Sequence, residues 1–141
     1  MKRVFIDSNI FIDYLQEPQP RATFVTSLFE LAELGSIYLF GSAIAFSHTH
    51  YVVRRSLGDK LTIELLKDVL RQVKLIAVDE EIIRNALHLP LKDFEDAIQY
   101  ECALKVTNLY AIITHNQKDF QKSIYPVMSA EQFIKTINAS L

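Results

Sequence analysis

Short, unbroken apolar runs alternate with longer amphipathic stretches along this chain, and no other feature narrows its folds so far. The runs fall at residues 3–6, 37–40, 74–78, 110–113 and 125–127. A strand that is apolar on consecutive residues buries both faces, as strands do in a parallel sheet covered by helices. The stretches between them repeat apolar residues at helical spacing. Phe24, Leu28, Leu31 and Ala32 do so within 21–34, and Leu61, Leu65, Leu66 and Val69 within 60–72. Ala97, Ile98, Cys102 and Ala103 do so within 93–106. Asp7 or Ser8, Ser42, Asp79 and Ser129 stand where helices begin, the last with Gln132 three residues on as a capping box. Gly35, Gly58 and Pro90 stand where helices stop, and Pro18 with Pro20 breaks the chain after the first helix. The expected fold is α/β, a single domain over residues 1–141, with a parallel sheet between two layers of helices. In such sheets the functional crevice lies at the carboxyl ends of the strands, where the strand order switches.

At 141 residues the chain suits one domain with a real core. Half of it is apolar and 23% is charged, a globular balance. No apolar run approaches the roughly 18 residues of a membrane helix. The basic start leads into an apolar run too short for a signal peptide. The single Cys102 cannot close an intramolecular disulfide. The expectation is a cytoplasmic protein with no membrane segment. A net charge of −2 argues against coating nucleic acid by charge alone, but leaves room for an enzyme with a local basic rim.

Asp7 ends the first run, and the polar loop THNQKDF, with Asp119, follows the fourth. Asp93 and Asp96 stand three apart at a helix start, on one face. Acids in a first turn also complement the helix dipole, a reading that competes more strongly for Asp93 than for Asp96. If the first and fourth strands are neighbours, Asp7 and Asp119 enter one crevice. Converging carboxylates repel each other unless a cation lies among them. Oxygen ligands suit Mg²⁺ or Mn²⁺, the ions of metal-dependent nucleases. The chain has no P-loop, no Gly-rich phosphate cradle and no recognisable Ser/His/Asp arrangement. A metal phosphatase would need a second Asp two residues after the first, where Asn9 stands.

Three segments in this order, VFIDSNIFIDYL, DFEDAIQYECALK and IITHNQKDF, resemble the hallmark segments of the PIN-domain family. The flavour is that of small stand-alone members, similar to VapC toxins of toxin–antitoxin pairs, and the likeness reaches the final SAEQFIK helix. The resemblance implies a three-layer α/β/α sandwich with a five-stranded parallel sheet. It also implies Mg²⁺- or Mn²⁺-dependent cleavage of single-stranded RNA by an acidic cluster, often in a homodimer. On that resemblance Asp7 is the first acid, Asp96 the third and Asp119 a further acid, together catalytic and metal-holding. Asn9 matches a residue that orients the first acid, and Thr114 the Thr or Ser after the fourth strand. Asn116 stands where many members carry a fourth Asp, and Asp93 is an accessory candidate. An antitoxin partner follows from the same resemblance, an Arg of it pairing with the acids. The helices near 24–34 and 46–53 are candidate dimer faces.

One departure bears on activity. His48 stands where the family carries a Glu, and no acid occurs from Gly41 to Leu57. An imidazole suits Zn²⁺ or Mn²⁺ better than Mg²⁺. His48 and Asn116 therefore keep a second reading open: a catalytically impaired PIN domain that binds RNA or a protein partner without cleavage. His50 points about 200° away from His48 on a helix and cannot share its ligand. His88 is expected at a helix C-terminus, and His115 is a candidate phosphate contact. Arg54, Arg55 and Lys118 are candidate nucleic-acid contacts, with Lys60 and Lys122 beside them. Tyr14, Tyr51 and Tyr100 stand between base stacking and core packing.

Overall fold

All five strands run parallel in one sheet. The computed structural model describes residues 1–16 and 21–139, so the break expected at Pro18 and Pro20 lies outside the described residues. The strands are β1 (Lys2–Ile6), β2 (Ile37–Ser42), β3 (Val73–Ile76), β4 (Leu109–Ile113) and β5 (Val127–Met128), in the order β3-β2-β1-β4-β5. The helices are α1 (Ser8–Gln16), α2 (Arg21–Glu33), α3 (Ala43–Leu57), α4 (Asp59–Leu70), α5 (Glu80–Leu87), α6 (Phe94–Ala103) and α7 (Ala130–Ala139). A 3₁₀ turn occupies Gln117–Phe120.

The period of two along β1 divides the core. Val4 and Ile6 join Ile10, Phe11, Leu28, Phe29 and Phe133 on one face, under α1, α2 and α7. Phe5 joins Phe40, Ile82, Ala97, Ile98 and Phe120 on the other, under α5 and α6. Each fully buried Phe or Ile contributes roughly 1.5–3 kcal/mol by leaving water, which is why the strands are apolar on both faces. The result is the expected three-layer sandwich.

Helix boundaries follow side-chain chemistry. Asp79 accepts from the Ile82 amide at 2.9 Å and opens α5. Ser129 and Gln132 form the reciprocal box, at 3.1 Å from the Gln132 amide to Ser129 Oγ and 3.0 Å from the Ser129 amide to Gln132 Oε1. Gly58 takes φ +82° between α3 and α4, a conformation that suits glycine. His88 caps α5 at its C-terminal end.

Several elements differ from the periodicity, among them β2, which runs on to Ser42. The third strand starts one residue early and ends at Ile76, because Ala77 and Val78 leave the edge of the sheet before Asp79 caps the helix. The fifth strand is Val127–Met128, since Ser123 Oγ accepts from the Tyr125 amide and holds that residue in a turn. Helix α6 starts after Asp93, whose side chain caps it. The loop at 114–123 contains the 3₁₀ turn, pinned by the buried Phe120.

Gly41 lies under α1. A Cβ placed there would come within 2.7 Å of the Phe11 ring, which is fully buried. Gly41→Ala should cost about 1–3 kcal/mol through overpacking, read as a lower denaturant midpoint at an unchanged slope.

Candidate active site

Strands β1→β2→β3 progress towards one edge, and β4 and β5 lie on the other side of β1. The order therefore switches between β1 and β4, and the crevice opens at their carboxyl ends. The Asp7 amide donates to Ile113 O at 3.0 Å, carrying the β1–β4 ladder one residue further. This fixes the Asp7 carboxylate at the mouth of the crevice with only 3% of the residue exposed.

Three groups hold that carboxylate. Asp7 Oδ1 accepts from the Ser8 amide at 2.8 Å. Asp7 Oδ2 accepts from Thr114 Oγ1 at 2.8 Å and from Asn9 Nδ2 at 3.3 Å. Thr114 Oγ1 in turn accepts from the Asn116 amide at 3.0 Å, and Asn9 Oδ1 accepts from the His115 amide at 3.3 Å. Asn9, Thr114 and the backbone of Asn116 thus form one network around Asp7. The Asn116 side chain is exposed and makes no cap to the 3₁₀ turn.

The other acids enter from α6 and the 3₁₀ turn. Asp93 uses Oδ1 to cap α6, at 2.8 Å from the Glu95 amide and 3.3 Å from the Asp96 amide. Asp96 is half-buried in the first turn and Asp119 is exposed. Glu95, which periodicity does not single out, accepts from Ser8 Oγ at 3.3 Å and so stands beside Asp7. The signal for it was its position in an acidic first helical turn, where the i,i+3 rule draws the eye to Asp93 and Asp96 instead.

The electrostatics record this crowding. Burial raises the Asp7 carboxyl above its ordinary value, against its hydrogen bonds from Thr114 and Ser8 and with the charges of Glu95 and Asp119. Burial, followed by the charges of Asp7, Asp93, Asp119 and Glu95, pushes Asp96 up to about 7. Carboxylates that crowd in this way are the environment a cation relieves. Their donor set, hard oxygen oriented by amide and hydroxyl donors, fits a divalent ion such as Mg²⁺ or Mn²⁺. Among the described residues, no three His, Cys, Asp or Glu side chains stand close enough together to hold an ion as they are placed.

His48 lies on the second turn of α3, half-buried, and among the described residues no hydrogen bond or ion pair joins it to the carboxylates. Arg54 and Arg55 lie near the far end of α3, roughly 16 Å or more along its axis from the crevice end at about 1.5 Å per residue. There they pack on the Tyr51 ring, at 5.4 and 4.6 Å from its centroid. His50 faces Asp59 at 3.7 Å. His115 pairs with the buried Asp13 of α1, which leaves the imidazole inside the wall of the crevice. Tyr14 stacks on Phe29 in the core, and Tyr100 is 8% exposed with its hydroxyl accepting from the Ile124 amide. Lys118 lines a cavity of ≈ 370 Å³ that also contains Asp93, Asp96 and Asp119. A larger cavity, ≈ 1060 Å³, lies around Arg3, Tyr38 and Lys74, towards the amino ends of the strands and away from the acids.

The family model for the PIN domain matches residues 3–118. The chain belongs to the PIN-domain family. Solved structures agree on the fold. VapBC2 from Rickettsia felis, bound to a DNA fragment from their promoter, superposes with a TM-score of 0.67 at 16% identity, covering 90% of this chain and 97% of that one. VapBC-1 from nontypeable Haemophilus influenzae gives 0.65 at 21% identity, covering 92% and 98%. VapC20 from Mycobacterium tuberculosis, a sarcin-ricin loop cleaving toxin, gives 0.60 at 12% identity, covering 77% and 86%. No curated protein matches the chain. Among the described residues, no helix of this PIN domain is long and apolar enough to cross a membrane.

Proposed function

We propose that this PIN domain is a VapC-like endoribonuclease that cleaves single-stranded RNA with a divalent ion, Mg²⁺ or Mn²⁺. The observation that carries the reading is the buried Asp7, held by Ser8, Asn9 and Thr114 in the like-charged company of Glu95, Asp96 and Asp119. Asp7, Asp96 and Asp119 would hold the ion, with Glu95 beside them. Bound there, the ion would polarise a phosphoryl oxygen and lower the pKa of a water. The chain's own part is orientation. Thr114 and Asn9 fix Asp7 Oδ2, Ser8 fixes Oδ1, and the rigid ends of β1 and β4 keep these donors in place. Asp96, raised by burial and by the neighbouring carboxylates while no ion is bound, would return to its charged form beside a cation and so serve as a ligand.

The family resemblance adds an antitoxin partner, whose Arg would pair with the same carboxylates, and a homodimer. Two of the solved structures named above are of VapBC pairs, which supports the first.

The test is incubation of the purified protein with end-labelled single-stranded RNA, with Mg²⁺, with Mn²⁺ and with EDTA. Cleavage with either ion and none in EDTA is expected. His48 in the usual Glu position favours a second reading, RNA or partner binding without cleavage. RNA retention in EDTA with no cleavage under either ion would select that reading.

A further inference from the structure

The ≈ 370 Å³ groove that holds Asp93, Asp96 and Asp119 is also lined by Lys92, Lys118 and Lys122. Among the described residues, no ion pair joins these lysines to any carboxylate, whereas Lys67, Lys105 and Lys135 elsewhere on the surface pair with Glu64, Glu81 and Glu131. The three groove lysines therefore keep their charge available beside an acidic wall. Two of them are held at fixed spacing. Lys118 and Lys122 flank Phe120, which is 2% exposed and anchors the 3₁₀ turn in the core. Lys92 faces the same groove from the connection between α5 and α6.

A polyanion approaching Asp7, Glu95, Asp96 and Asp119 is repelled unless positive charge meets the phosphates on either side of the reacting one. An ion among the acids serves one phosphate. The lysines are the cations of this chain that share the groove with the acids. Pro90 and Leu91 give the groove an apolar stretch, continued by a small niche of ≈ 50 Å³ against Tyr100 and Phe120. That wall suits the flat face of a nucleotide base.

We propose that this groove is a nucleotide subsite. Lys92, Lys118 and Lys122 bind the phosphates next to the scissile one, and the adjoining base lies against Pro90 and Leu91. The proposal rests on RNA being the substrate of the acidic site. It assigns phosphate binding to the groove rather than to Arg54 and Arg55 at the far end of α3.

The experiment uses the full chain carrying Asp7→Asn, in EDTA, with a fluorescein-labelled single-stranded RNA of about ten nucleotides. Affinity is read by anisotropy across a salt series. Adding Lys92→Ala, Lys118→Ala and Lys122→Ala should lower the salt slope by roughly 2, three phosphate contacts at about 0.7 each, and so weaken binding about a hundredfold at 0.1 M salt. Replacing Lys67, Lys105 and Lys135 with Ala removes the same charge and should change neither reading. Unchanged affinity and slope in the groove variant would overturn the subsite and leave the nuclease reading standing. Equal displacement of the RNA by poly-glutamate would also overturn it, since the groove would then bind any polyanion. No RNA binding by the Asp7→Asn parent would remove both proposals. Binding with the expected slope, alongside an intact protein that never cuts, would keep the subsite and remove the nuclease.

Discussion

Asp7→Asn should abolish ion-dependent RNA cleavage, by about 10³-fold or more, without unfolding the protein. The rate estimate follows from the several kcal/mol that an ion's charge contributes at a transition state, each 1.4 kcal/mol being tenfold. The stability half follows from burial. Ionised Asp7 is held at 3% exposure among like charges, and burial already raises its carboxyl above the ordinary value. An asparagine carries no charge to desolvate, and its carbonyl oxygen still accepts from Thr114. The melting temperature of the ion-free variant should therefore match or exceed the parent's. Retained cleavage in this variant would sink the proposed centre. Lost cleavage with lost folding would mean that Asp7 is structural.

Asp96→Asn should stabilise the ion-free protein at pH 8, and should lose that advantage as the pH falls. The sign is as follows. The folded carboxyl is pushed up to about 7 from an ordinary value of 3.8, so the folded chain binds a proton more tightly than the unfolded one. Stability is fully present below the ordinary value and is lost as pH rises through 7. Asparagine removes that loss. Solvent screening of a half-exposed carboxyl reduces the gain to about 1–2 kcal/mol, roughly 3–8 °C in Tm. The difference between variant and parent should close towards pH 4. A divalent ion at about a hundred times its Kd should reverse the order at pH 8, adding about 2.7 kcal/mol to the parent and little to the variant. A thermal scan at three pH values, with and without Mg²⁺ or Mn²⁺, reads all of this. No pH dependence of the difference would show that Asp96 is not held among the other acids.

Most of the fold is legible in the sequence because burial on both faces forces the strands to be continuously apolar and the helices to carry one apolar stripe. Val4, Phe5 and Ile6 announce a central strand on that ground alone. Their neighbours are another matter. The adjacency of β1 and β4, which decides whether Asp7 and Thr114 meet, depends on packing over the whole chain and is implied only by the family resemblance. Asp93 shows the limit of spacing arguments, since its placement three before Asp96 reads equally as a ligand or a cap, and its carboxylate caps the helix. Glu95 shows the converse. One residue from Asp96 is about 100° around a helix, so spacing assigns it elsewhere, yet its long side chain reaches Ser8 across the crevice. Arg54 and Arg55 look basic enough for phosphates, and the length of α3 sets them roughly 16 Å or more from its crevice end.

The hydrogen bond between Thr114 and Asp7 joins residues 107 apart in the chain. A ribosome making this protein releases the first acid almost at once, then spends roughly 5–20 s, at about 5–20 residues per second, before the threonine exists. Until then Asp7 has no partner strand on its β4 side and no hydroxyl to orient it. On the proposed function, a chain not yet extended through β4 would leave the RNA around it uncut. Whatever activity the protein has waits for that strand to be made.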